Sequence, residues 1–127
     1  MRLYIDKDSD VDVLSASELD NKIAWYENDG NNPPNWTAHI ITTTADAAHW
    51  VFAIDIDKDS DVDVLSAASW ADNEIAWYEN DGNNPPNWTT HVITNNAINA
   101  KSVYAIDIDN DGDIDVLSAS ETDTKIA

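Results

Sequence analysis

Residues 107–119 read DIDNDGDIDVLSA, an acidic loop that runs directly into a short apolar stretch. Aspartate occupies every second position of its first nine residues, and Gly112 is the sixth. Earlier copies read DIDKDSDVDVLSA from residue 55 and YIDKDSDVDVLSA from residue 4. Asp6, Asp57 and Asp109 are equivalent, at successive offsets of 51 and 52 residues. The chain is therefore built from a repeat of about 50 residues.

The repeat extends beyond the acidic loops, because IAWYENDGNNPPNWT occurs identically at residues 23–37 and 75–89. One residue is inserted in the second copy, within residues 67–71, and such insertions usually fall in loops. β-Branched and aromatic residues dominate four short segments of each unit, and no segment shows the i, i+3, i+4 spacing of a helix. The predicted strands are residues 103–107, 115–119, 22–26 with its copy 74–78, and 37–42 with its copy 89–94.

These predicted strands carry apolar side chains on both faces. In Ile23-Ala-Trp-Tyr26, neighbouring apolar residues point to opposite sides of the strand. A strand of this kind belongs to a sheet that is covered on both sides. Four-stranded units of this length, each between two neighbours, are typical of the blades of a β-propeller. We therefore predict an all-β chain of propeller-type repeats with four-stranded blades.

The repeat phase divides the chain into a truncated blade 1 at residues 1–46, blade 2 at 47–98 and a partial blade 3 at 99–127. This amounts to about two and a half blades, an incomplete ring, because propellers close with about four to eight blades. We expect the remaining blades to come from missing parts of a longer chain or from self-association, and the fragment is the favoured interpretation.

Composition restricts the classes of partner. The formal net charge of −19 argues against nucleic acid and anionic membranes, since both attract basic patches. No apolar run approaches the about 18 residues of a membrane span, so membrane insertion is not expected. Six tryptophans and four tyrosines indicate a folded core despite the charge. Disulfides are excluded because the chain has no cysteine.

The acidic loops predict metal binding. Carboxylates this close together repel one another, and without a cation some of them must take up protons. A hard divalent ion with flexible oxygen coordination removes the repulsion, and calcium fits best. An EF-hand is excluded because position twelve is Ser66 or Ser118, on a predicted strand. A solvated turn without an ion is the alternative, and three copies in phase argue against it.

With its apolar continuation Val116-Leu117, the loop at residues 107–115 resembles the calcium loop of FG-GAP/VCBS repeats. This family includes the blades of integrin α-chain propellers and many bacterial surface proteins, and the resemblance spans essentially the whole chain. It implies Ca²⁺ bound by side chains at loop positions one, three, five and nine and by the backbone carbonyl at position seven. The implied ligands are Asp55, Asp57, Asp59, Asp61 and Asp63 in the second loop and Asp107, Asp109, Asp111, Asp113 and Asp115 in the third.

Two loops depart from the family pattern. Tyr4 replaces the first acid of the first loop, which leaves Asp6, Asp8, Asp12 and the carbonyl of Asp10 as its implied ligands. We expect this loop to bind calcium weakly or not at all. In the second loop, Ser60 stands where glycine is usual, which predicts a strained turn.

Several repeated residues outside the loops admit a functional and a structural interpretation, and the structural one is favoured for each. His39 and His91 are expected to pack or to form hydrogen bonds. Glu27 and Glu79 recur in both copies, whereas a catalytic carboxylate pair is normally unique. Trp36 and Trp88 are expected to pack, with sugar stacking as the alternative, and Trp70 in the insertion is expected to be exposed.

The predicted function is a non-catalytic, calcium-stabilised scaffold for adhesion or recognition, located extracellularly or at the cell surface. Its surface loops would recognise a protein or a glycan ligand. The alternatives are a carbohydrate-binding, lectin-like propeller and an accessory domain of a polysaccharide-degrading enzyme. We expect the calcium to be structural, and no catalytic residue is predicted.

Overall fold

A computed structural model describes residues 2–69, 73–121 and 125–127. Within these ranges the chain forms strands and no helix, so it contains no helix long and apolar enough to cross a membrane. The predicted all-β class is confirmed. The ten strands are β1 (Val13–Ser17), β2 (Lys22–Asn28), β3 (Trp36–Thr42), β4 (Ala48–Ile54), β5 (Asp63–Ala68), β6 (Ile75–Asn80), β7 (Trp88–Thr94), β8 (Ala100–Ile106), β9 (Asp115–Ser120) and β10 (Lys125–Ile126).

The strands form three separate antiparallel sheets, each a meander in chain order. The first sheet has the order β1-β2-β3, the second β4-β5-β6-β7 and the third β8-β9-β10. Only the second sheet has four strands within the described residues. The acidic loops lie at equivalent places, directly before β1, β5 and β9. The arrangement is consistent with propeller-like repeats.

The predicted strands all correspond to observed strands, and their bounds shift by a few residues. The largest difference is at β8, which begins at Ala100 where the pattern predicts residue 103. Bulges interrupt the pairing at equivalent places, between Ile23 and Ala24 and between Ile75 and Ala76. In each case the extra residue lies in the following strand, Ile41 in β3 and Ile93 in β7, where it disturbs the two-residue alternation.

The core consists of two apolar clusters, one on each face of the second sheet. Val64 belongs to the cluster shared with the first sheet, and Leu65 belongs to the cluster shared with the third. Both side chains are fully buried. Consecutive residues of one strand point to opposite faces, so β5 is covered on both sides, as the sequence predicts.

The outer faces of the first and third sheets are open. Val13, the equivalent of Val64, is 46% exposed on the first sheet. Ile106, the equivalent of Ile54, is 44% exposed on the third, whereas Ile54 packs against the cluster between sheets two and three. The same sequence position is therefore covered where a neighbouring repeat lies against it and exposed where none does.

Candidate metal centres

The backbone of each acidic loop turns through the left-handed region at positions four and six. In the second loop Lys58 has φ 65° and Ser60 has φ 76°; in the third, Asn110 has φ 62° and Gly112 has φ 94°. Glycine adopts this region without steric cost, and serine does not. Ser60 therefore sits where the sequence predicts strain.

These turns bring positions one, three and nine together. Carboxylate oxygens of Asp55, Asp57 and Asp63 lie within 4.8 Å of one another in the second loop. The third loop groups Asp107, Asp109 and Asp115 in the same way. The structure therefore places six of the ten predicted ligands of these two loops in two equivalent groups.

Position five of the second and third loops has a different role, because among the described residues its carboxylate belongs to neither of these two groups. Asp59 Oδ1 accepts a hydrogen bond from the Asp61 N–H at 2.8 Å, and Asp111 Oδ1 accepts one from the Asp113 N–H at the same distance. These bonds close the turn. Coordination by Asp59 and Asp111 remains a prediction.

Position nine anchors the first and second loops to their sheets. Asp63 is fully buried; its Oδ2 accepts the Ile56 N–H at 2.9 Å and its Oδ1 accepts the Asn80 N–H at 3.0 Å. Burial raises the pKa of Asp63 to about 6, even though both hydrogen bonds favour the charged form. Burial also raises the pKa of Asp12, which accepts the N–H groups of Ile5 and Asn28. The sheet thus holds a carboxylate whose charged form is disfavoured by burial.

Position one of the third loop has a buried carboxylate oxygen without a hydrogen-bond partner among the described residues. Asp107 Oδ2 accepts the Gly112 N–H at 3.0 Å, while its Oδ1 is buried without any hydrogen-bond partner. Asp6 Oδ2, in the first loop, is buried without a partner as well. An unsatisfied buried oxygen is costly, and a hard divalent cation is the group that all-oxygen sites of this kind accept. The residues present therefore fit calcium.

Position seven directs its side chain toward neighbouring segments. Asp61 Oδ1 pairs with Lys7 Nζ of the preceding loop at 2.5 Å, and Asp113 Oδ1 pairs with Lys58 Nζ at 2.7 Å. Asp61 also lies against Gly82, where an added Cβ would come within 2.7 Å of its Oδ2. These carboxylates form their contacts outside the groups. The family resemblance implies that position seven coordinates through its backbone carbonyl.

The first loop is assembled differently. Tyr4 offers no carboxylate, and the group that forms here consists of Asp6, Asp8 and Glu27, again with oxygens within 4.8 Å of one another. Asp12 is not in this group. Sequence reasoning missed Glu27 as a member, because it lies on β2 and only the strand pairing brings it to the loop.

The repeated histidines form hydrogen bonds and stack, as predicted. His39 Nε2 lies 2.6 Å from Glu27 Oε2, and its ring stacks on Trp25 at 4.4 Å between centroids. His91 forms the same contacts with Glu79 and Trp77, at 2.6 Å and 4.5 Å. Each histidine therefore fixes a glutamate beside an acidic loop.

The tryptophan predictions have mixed outcomes. Trp88 packs against the cluster between the first two sheets, as predicted. Its equivalent Trp36 is 47% exposed, so the predicted packing is wrong for this residue. Within the described residues, no sheet covers the face of the first sheet on which Trp36 lies. Trp70 lies outside the described residues.

The Asn-Pro loops are built around an aspartate in each copy. Asp29 accepts hydrogen bonds from the backbone and side-chain amides of Asn35 and Asn31, at 2.6 to 3.0 Å. These bonds, those from Asn35 first, hold the pKa of Asp29 well below its usual range. Asp81 is bound by Asn87 and Asn83 in the same way. Both loops are therefore fixed by internal hydrogen bonds.

Comparison with known proteins gives one family. The model of the FG-GAP-like repeat matches the chain twice, at residues 5–66 and 55–118. No curated protein and no solved structure gives a significant match. The two matches overlap across the second acidic loop, and together they cover most of the chain. The chain therefore belongs to the FG-GAP-like repeat family.

Proposed function

We propose that this chain is a calcium-stabilised, non-catalytic repeat scaffold of propeller type that serves adhesion or recognition outside the cell or at its surface. The observation that carries the proposal is the convergence of carboxylates at equivalent places in successive repeats, with a buried oxygen of Asp107 left unsatisfied. The grouped carboxylates already accept hydrogen bonds from the loop backbone, and Asp63 also accepts one from β6, which supports a structural role for the ion.

Each site would be held chiefly by the grouped aspartates: Asp55, Asp57 and Asp63 in the second loop and Asp107, Asp109 and Asp115 in the third. A bound divalent cation supplies positive charge that offsets the repulsion among them. Asp63 links the loop to β6 through the Asn80 N–H, so neutralising its charge stabilises the contact between loop and sheet. Calcium binding of this kind adds to folding free energy by mass action.

The open end faces support a larger ring. About two and a half blades, at residues 1–46, 47–98 and 99–127, would leave the outer faces of the first and third sheets uncovered. Val13 and Ile106 are exposed there, although their equivalents Val64 and Ile54 are covered in the second sheet. Further repeats of a longer chain, or a second copy, would cover both faces.

A second candidate function, carbohydrate binding, is favoured by one observation. Trp36 at the start of β3 and Trp50 on β4 are 47% and 48% exposed. Exposed indole rings stack on sugar faces, as aromatic rings stack on other flat apolar surfaces. Binding to a glycan array by the wild type, and its loss in Trp36→Ala, would establish this alternative; no binding to any glycan would exclude it.

The calcium proposal is tested by a matched pair of substitutions in the third loop. Asp107→Asn and Asp113→Asn each remove one negative charge, at positions one and seven of the same loop. Only Asp107 contributes its side chain to the group. We expect Asp107→Asn to weaken calcium binding at this loop at least about tenfold and Asp113→Asn to change it much less. Calcium titration by calorimetry measures both. Equal effects of the two substitutions would contradict the proposed geometry.

A further inference from the structure

The first acidic loop lacks the acid that opens the other two, yet the structure places a carboxylate beside it. Glu27 lies on β2, and the next residue, Asn28, donates its N–H to Asp12 Oδ1 at 3.2 Å. This bond fastens the end of the loop to β2 next to Glu27. Oxygens of Asp6, Asp8 and Glu27 lie within 4.8 Å of one another.

An independent observation shows that this group lacks a partner. Asp6 Oδ1 accepts the Asp8 N–H at 3.2 Å, but Asp6 Oδ2 is buried and has no hydrogen bond. A buried carboxylate oxygen without a donor is the defect that a bound cation repairs.

Glu27 is held in position before any ion arrives. Its Oε2 is engaged by His39 Nε2 at 2.6 Å, and the His39 ring stacks on the fully buried Trp25. A carboxylate fixed in this way loses little side-chain freedom on coordination, which favours binding.

The second repeat provides the comparison. Glu79, His91 and Trp77 repeat the same contacts, but there Asp55 is present and the grouped residues are Asp55, Asp57 and Asp63. The glutamate joins the group only in the repeat where position one has become tyrosine. We propose that Glu27 takes the place of the missing acid and, with Asp6 and Asp8, forms a third calcium site in the first loop.

This inference rests on the proposed calcium function and replaces the expectation that the first loop binds weakly or not at all. It is tested by the number of ions bound per chain, measured by equilibrium dialysis against ⁴⁵Ca²⁺ well above the about 10⁻⁴ to 10⁻³ M range of extracellular modules. We expect three ions for the wild type, two for Glu27→Gln and three for Glu79→Gln. The Glu79 variant is the matched control, because it loses the same contact with histidine.

A rescue variant keeps the test independent of folding defects. Tyr4→Asp combined with Glu27→Gln restores an acid at position one, and we expect it to bind three ions again. Circular dichroism of each variant verifies the fold. Two ions in the wild type, or loss of an ion in Glu79→Gln as well, would overturn the role of Glu27 while leaving the other two sites intact. No bound ion at all would overturn the proposed function itself.

Discussion

The buried carboxylate of Asp63 makes the calcium-free protein less stable as the pH rises. Its pKa is raised from an ordinary 3.8 to about 6, chiefly by burial. A group whose pKa is higher in the folded than in the unfolded state contributes stability that is complete below about pH 4 and is lost as the pH rises through about 6. The full shift in pKa corresponds to a loss of about 3 kcal/mol in the free energy of unfolding. Between about pH 4.5 and 7 the expected loss is about 2 kcal/mol, because the remaining part is already lost below pH 4.5.

Other shifted groups do not reverse this trend. Burial also raises the pKa values of Asp6, Asp12 and Asp57, which act in the same direction. Asp29 and Asp81 have pKa values lowered by their asparagine partners, and their contribution is lost only in acid below the window. The free energy of unfolding of calcium-free protein should therefore fall from about pH 4.5 to 7.

Urea unfolding of the metal-free protein across this range measures the effect, and Asp63→Asn serves as the control. We expect the slope to be shallower in this variant, which cannot ionise at position 63. Saturating calcium should reverse the slope in the wild type, because the ion binds the deprotonated carboxylates. A wild type whose metal-free stability is flat or rises toward pH 7, or a variant with an unchanged slope, would refute the reasoning.

Further substitutions test the local geometry. Ser60→Gly should stabilise the protein by about 1 kcal/mol in urea unfolding, because glycine accepts the φ of 76° without strain; a loss of stability would contradict this. Gly82→Ala should destabilise more than Gly112→Ala, since both have positive φ but only the Cβ at 82 would meet Asp61, at 2.7 Å; equal losses would refute the contact. Ile106→Asp on the open face of the third sheet should reduce self-association in sedimentation velocity. A wild type that remains monomeric at high concentration would show that this face needs no second copy.

Local pattern was sufficient for most of the fold. The two-sided burial of Val64 and Leu65 follows from consecutive apolar residues in a short strand, and the left-handed turn at Ser60 follows from its glycine equivalent in the third loop. The grouping of positions one, three and nine was implied by the family resemblance, which also included position five. Such features depend on residues close in sequence, where repeat comparison is informative.

Contacts between segments could not be predicted in this way. Glu27 reaches the first loop through the pairing of β1 with β2. Lys7 of the first loop reaches Asp61 of the second loop, in the neighbouring repeat. For the contact between Lys7 and Asp61, the only signal in the sequence was the lysine at position four of the first and second loops. The exposure of Trp36 depends on whether another sheet lies against it, which its own repeat does not encode.

The most direct test of the account is the melting temperature of the wild type with and without calcium. Clustered carboxylates that lack a cation destabilise the fold, so calcium at about 5 mM should raise the melting temperature by several degrees over protein in excess chelator. Magnesium at the same concentration should have a smaller effect, since it requires stricter octahedral geometry. Identical melting in calcium and in chelator would contradict the claim that these loops are calcium sites.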